Sequence, residues 1–147
     1  MSSDMNSVIK LKSIEQKIEV MKGWKKISKI EKRQDTLKRM MHEIDSEYND
    51  LNHHFDVCTN AELNNLAIHH ASYLSAMRKN LQDEFSHLSE KHQHVTKEVT
   101  LANARVEIFE DLDKETRTQQ VARKNRAQLE SELMEATGRK KHDADSQ

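Results

Sequence analysis

The residues whose types could carry chemistry are nine histidines, one cysteine and a cluster of acids in the second half of the chain. Adjacent His53-His54 and His69-His70 invite a metal site, but neighbouring side chains on a helix point in different directions. The His-Glu-x-x-His spacing of zinc proteases is also absent. His70 and His92 fall at seam positions of a helical repeat. Cys58 has no cluster of cations nearby to stabilise a thiolate, so it reads as a spacer rather than a nucleophile. Acid–base work by paired carboxylates needs a water-poor pocket that holds and shifts them. Glu107, Glu110, Asp111, Asp113 and Glu115 instead read as a solvated face, with partner docking as the alternative. Gly23 and Gly138 are the only glycines, which leaves neither a P-loop nor a dinucleotide-binding turn. The expectation is therefore a non-enzyme with no catalytic residue, no metal and no cofactor, an enzyme reading resting on the histidines alone.

The composition agrees with that expectation. Hydrophobic residues make up 35% of the 147 positions and charged residues 33%, with six aromatics and no proline. That is too little apolar mass for an ordinary globular core. Formal net charge is -1, so no overall attraction to nucleic acid or anionic lipid is expected. The basic N-terminal stretch is accompanied by Trp24 alone and interrupted by Glu15, Glu19, Glu31 and Asp35, which argues further against nucleic acid. The lone cysteine fits a reducing compartment. Met1 to Ser7 lacks the layout of a signal peptide, and no apolar run approaches the roughly 20 residues that span a bilayer. A cytoplasmic protein without membrane insertion is expected.

Dense Glu, Lys, Gln, Leu and Met without proline is a helix-forming composition, and the apolar residues repeat at alternating threes and fours. From Ile27 the repeat runs through Ile30, Gln34, Leu37, Met41, Ile44, Tyr48, Leu51 and Phe55, a coiled-coil frame with one polar interruption at Gln34. Leu11, Ile14, Ile18 and Met21 form a similar stretch upstream. Trp24 joins it to Ile27 by steps of three, which predicts a frame shift. After Phe55 the frame fails, and a new one opens at Leu63. It runs through Leu66, His70, Leu74, Met77, Leu81, Phe85, Leu88, His92, Val95, Val99, Ala102 and Val106 to Phe109. Between the two frames, Asp56 to Asn60 are poor helix formers, and Thr59-Asn60-Ala61-Glu62 reads as a capping box. A turn near Thr59 fits best, a kinked continuous helix being the alternative.

Folding back at Thr59 sets Ile9 opposite Phe109 and gives an all-α, antiparallel two-helix coiled-coil hairpin. At about 1.5 Å per residue the paired stalk is about 70 to 80 Å long. The expected organisation is a disordered 1–7, a first helix over 8–56, a turn at 57–61, a second helix over 62–137 and a disordered tail over 138–147. A C-terminal helical overhang is expected from about residue 113. It stops at Thr137-Gly138, ahead of Arg139-Lys140-Lys141. Charge is segregated along this hairpin: residues 10–39 carry eleven Lys or Arg against four acids, and residues 40–64 carry six acids and neither cation. Much of this is a solvated face with i,i+4 pairs, the rest favouring acidic partners at the open end. The same helices could also pair between chains, as a homodimeric coiled-coil scaffold or tether.

Stretches Gln34 to Lys38 and on to Glu47-Tyr48, then Tyr73 with Met77 and Leu81, and the closing Val121 to Leu133 carry a family likeness. With the unequal hairpin and basic open end, the chain resembles the FliJ/YscO family of type III export stalk proteins. The resemblance implies a fold like the coiled coil of the rotary ATPase γ subunit. It also implies a cytoplasmic place at the inner-membrane export apparatus, flagellar or virulence-related. The open end then enters the hexameric export ATPase, promotes its assembly and links it to the membrane export gate, with export chaperones as further partners. Carried over, the ATPase-docking residues are Lys10, Lys17, Lys22, Lys25 and Lys26 with Arg117, Arg123, Lys124 and Arg126. The export-gate residues are Tyr48, Tyr73 and Met77.

Overall fold

A computed structural model describes the backbone of residues 2–145 and the side chains of residues 4–139. Two α-helices, α1 (Ser2–Val57) and α2 (Ala61–Asp145), pack against each other, with no strand among the described residues. The fold is the expected all-α hairpin.

Three residues, Cys58 to Asn60, connect the helices. The Cys58 N–H donates to the His54 carbonyl (2.8 Å), which extends the last turn of α1. Asn60 Oδ1 accepts from the N–H groups of Glu62 (3.0 Å) and Leu63 (3.3 Å). Asn60 is thus the N-cap, one residue later than the Thr59 box predicts. Asn is at least as good a cap as Thr, and Asn64 Nδ2 bonds the Cys58 carbonyl across the turn (3.3 Å). Two asparagines do the work usually given to glycine or proline.

The chain divides by its internal packing into two units, one of Met1–Glu19 with Ala102–Gln147 and one of Val20–Leu101. Within Val20–Leu101, one core joins Leu37, Met41, Ile44, Leu74 and Leu81, with Leu51, Met77, Phe85 and Leu88 packed against it. A second joins Ile27, Ile30, Val95 and Val99, with Val20 and Leu88 alongside. Leu37 is fully buried, at 0% exposure. Gln34, the polar step in the frame, donates to Ser89 Oγ (3.0 Å), so the interruption is satisfied rather than orphaned. Two forked ion pairs bridge the helices, Arg33 to Glu84 (2.8 and 3.2 Å) and Arg78 to Asp45 (2.6 and 3.2 Å). At the seam positions, His92 is half-buried and reaches Glu31 (3.2 Å), while Leu66 and His70 are exposed and Ala67 is buried in their place.

The unit of Met1–Glu19 and Ala102–Gln147 departs from the sequence expectation. Its less exposed positions on α1 are Asn6, Ile9, Ser13 and Gln16, followed four residues on by Val20 and then by Gly23 and Ile27. This is the Ile27 frame continued without a step. Leu11, Ile14 and Ile18, expected in the seam, are exposed at 60%, 53% and 45%, and Met21 and Trp24 are exposed as well. The reason lies on both helices. Bringing that stretch inward requires overwinding α1 by consecutive steps of three. Opposite, α2 offers only Ala102, Val106 and Phe109 before its frame turns polar at Asp113, Thr116 and Gln120.

Three further boundaries move. Residues 2–7, expected to be disordered, continue α1, and Asn6 Nδ2 donates to Gln120 Oε1 (3.0 Å). Pairing therefore reaches Gln120, about two helical turns beyond the expected start of the overhang, and from Val121 to Arg139 every described side chain is exposed. Gly138 does not end α2, which runs to Asp145 with no glycine at positive φ. A glycine stop needs that left-handed conformation to bring the next N–H groups onto the last carbonyls. Met1 and residues 146 and 147, also within the expected disordered ends, lie outside the described residues, and the side chains of Lys140 and Lys141 are likewise undescribed.

Candidate interaction surfaces

The nine cationic docking residues divide between the units. In Met1–Glu19 with Ala102–Gln147, Lys10, Lys17 and Arg117 rim a shallow groove of about 260 Å³ that also includes Ser13, Ile14, Phe109, Glu110 and Asp113. Lys17 Nζ meets Glu110 Oε1 at 3.0 Å, and Arg117 meets Asp113 at 3.3 Å across one helical turn. These cations are engaged with acids of their own unit, and part of the 107–115 acidic cluster faces them. Asp113 Oδ1, Asn6 Oδ1 and Gln16 Oε1 are buried without a hydrogen-bond partner. Such atoms are costly, so this polar seam holds its helices less firmly than an apolar one would. Arg123, Lys124 and Arg126 stand exposed on the single-helix stretch from Val121.

In Val20–Leu101, Lys22, Lys25 and Lys26 are exposed beside Gly23, which is buried against Val99. The three export-gate residues do not form one patch. Tyr48 lines a groove of about 610 Å³ with Phe55, Ile68, Ser72, Ala76 and Lys79. Tyr73 is exposed and stacks on His70, with ring centroids 6.3 Å apart. That histidine lines a different groove, with Glu47, Asp50, Leu51, His54, Leu63 and Ala67. Met77 is half-buried and packs into the Leu37 core, as a residue with an adaptable side chain does.

Glu47 lies 3.6 Å from His70, and both are exposed. Among the described residues no three His, Cys, Asp or Glu side chains are placed to share an ion. Cys58 is half-buried in the turn. No helix among the described residues is long and apolar enough to cross a membrane.

The surface that sequence patterning missed is the outward face of α1 carrying Leu11, Ile14 and Ile18. Its signal was present in the three-four spacing of Asn6, Ile9, Ser13, Gln16, Val20 and Gly23, in phase with Ile27. A count of apolar residues outweighs that phase. Set beside known proteins, the chain matches no family model, no curated protein and no solved structure.

Proposed function

We propose that the chain is a non-enzymatic central stalk and adaptor of a type III protein export ATPase, flagellar or virulence-related. In this role it inserts its open end into the ATPase hexamer and links it to the export gate. The observation that carries this reading is the C-terminal stretch of α2 from Val121. Every described side chain from Val121 to Arg139 is exposed, Arg123, Lys124 and Arg126 among them. A helix left uncovered by its own chain, with apolar and cationic residues on it, is suited to docking against another protein. The exposed Lys22, Lys25 and Lys26 add to the cationic surface offered to an acidic partner. Tyr48 and Tyr73, both exposed, are the gate-facing residues in this reading, and export chaperones are further partners.

The test is assembly of the cognate export ATPase with purified protein. The wild-type chain raises hexamer formation and ATP hydrolysis. Reversal of Lys22, Lys25 and Lys26 to Glu weakens both while helicity stays unchanged. A wild-type chain without effect on either removes the proposal, and persistence of stimulation in the triple variant moves docking away from these lysines.

A further inference from the structure

Two exposed faces in the unit of Met1–Glu19 and Ala102–Gln147 complement each other yet cannot meet within one chain. On α1, residues 8–18 expose Val8, Leu11, Ile14 and Ile18 and carry three lysines against one glutamate. On α2, residues 127–138 expose Leu129, Leu133 and Met134 and carry three glutamates with no Lys or Arg. The first is a basic amphipathic helix face, the second an acidic one. Because α2 is continuous to Asp145 and Gln120 is already bonded to Asn6 near the beginning of α1, the residues that follow run past α1. The acidic segment can therefore cover the basic face only in another molecule.

We propose that this face is occupied by residues 127–138 of a second copy of the chain, each copy covering the other's α1. The apolar positions match in period. Leu11, Ile14 and Ile18 step by three and four, and Leu129, Leu133 and Ala136 step by four and three, the seam of a coiled coil. Lys10 and Lys17, seven residues apart, line one edge of the first stripe, and Glu130 and Glu132 flank the second, so a two-fold arrangement sets opposite charges along one edge of each strip. Lys17 already meets Glu110 and Lys12 meets Glu15 (3.8 Å), but all four are exposed, and such pairs exchange partners at little cost. Each contact is a strip about 18 Å long, and two such strips bury on the order of the roughly 1,200 Å² of a small specific interface. This self-association does not depend on the export-ATPase reading.

The experiment is light scattering and sedimentation of the full chain. The wild type approaches twice its 17.2 kDa mass as concentration rises. A chain that stays monomeric at hundreds of micromolar overturns the proposal. Leu129→Asp with Leu133→Asp, and separately Ile14→Asp, abolish the dimer, and a dimer that survives both pairs elsewhere and also overturns it. Lys10→Glu with Lys17→Glu, or Glu130→Lys with Glu132→Lys, weakens self-association about tenfold. Mixing the two charge variants restores it, whereas a mixture no tighter than its components counts against the pairing. Should any variant lose helicity by circular dichroism, an Ile14→Cys and Leu133→Cys chain in a Cys58→Ser background decides. Oxidation links these cysteines between copies if the proposal holds, and leaves them unlinked if it does not.

Discussion

A methyl group of Val99 occupies the space in which any residue larger than Gly23 would carry its Cβ. Gly23 is therefore a seam position of α1 whose missing side chain is replaced by one from α2. Alanine there meets Val99 and forces one of the two to move, at about 1 to 3 kcal/mol for overpacking. It also gains up to about 1 kcal/mol of helix propensity. Gly23→Ala is expected to lower stability in denaturant unfolding, and Gly23→Ala with Val99→Ala to recover part of the loss. A single variant as stable as the wild type contradicts the close packing.

Leu37 and Ile18 were both apolar seam residues on sequence grounds, and the structure separates them. Leu37→Asp places a charge at a fully buried position and should cost about 3 to 5 kcal/mol. Ile18→Asp, on the exposed face, should change the stability of the single chain by no more than about 0.5 kcal/mol. Thermal unfolding followed by circular dichroism in dilute solution measures both. Equal losses would return Ile18 to the seam.

Asn60 caps α2 through two backbone N–H groups. Asn60→Ala should destabilise by about 1 kcal/mol, and Asn60→Asp should retain most of the stability because a carboxylate also caps. Thr59→Ala should be nearly silent. If Thr59→Ala is instead the costly change, the cap lies one residue earlier.

The forked ion pairs give a pH dependence of definite sign. Hydrogen bonding from the Arg78 guanidinium, aided by its charge, holds Asp45 below its ordinary range, and Arg33 does the same for Glu84. Both carboxyls thus favour the charged form more in the folded chain than in the unfolded one. Their contribution is complete above the ordinary carboxylate range near about pH 4, and it is lost as pH falls through the lowered folded values. Because both pairs are exposed, the effect is modest. Melting temperature measured from about pH 7 down to about pH 2 should fall further in the wild type than in Asp45→Asn with Glu84→Gln. Parallel curves would show that the pairs do not contribute.

Much of the hairpin is legible in the sequence because its strongest stretch is apolar and periodic at once. Leu37, Met41, Ile44, Leu74 and Leu81 are buried on the frames their spacing predicts. At the open end the two signals separate: the apolar residues Leu11, Ile14 and Ile18 lie on one face, and the frame inherited from Ile27 selects another. A helix keeps its phase unless something pays to shift it, and Asp113, Thr116 and Gln120 opposite supply no apolar surface for doing so. Gly23 escapes notice because a seam position filled from across the interface has no side chain to count. The docking residues are a different case, since exposure of a lysine says that it is available and not what it meets. Only the Lys17–Glu110 and Arg117–Asp113 pairs qualify even that availability.

The unbroken spacing of Val20, Gly23, Ile27, Ile30, Gln34, Leu37, Met41 and Ile44 has a bearing on how such a protein can change length. Loss or gain of one residue between Ile30 and Gln34 turns everything on the far side by about 100°, which exposes Ile27 and leaves Val99 facing the wrong side chains. Removing seven residues from one helix preserves its phase but strands a seven-residue stretch of the other. The stretch from Val20 to Leu101 can therefore be shortened or extended only in matched pairs of seven, one from each helix, so its dimensions are quantised and tolerance to single insertions is confined to the three-residue turn.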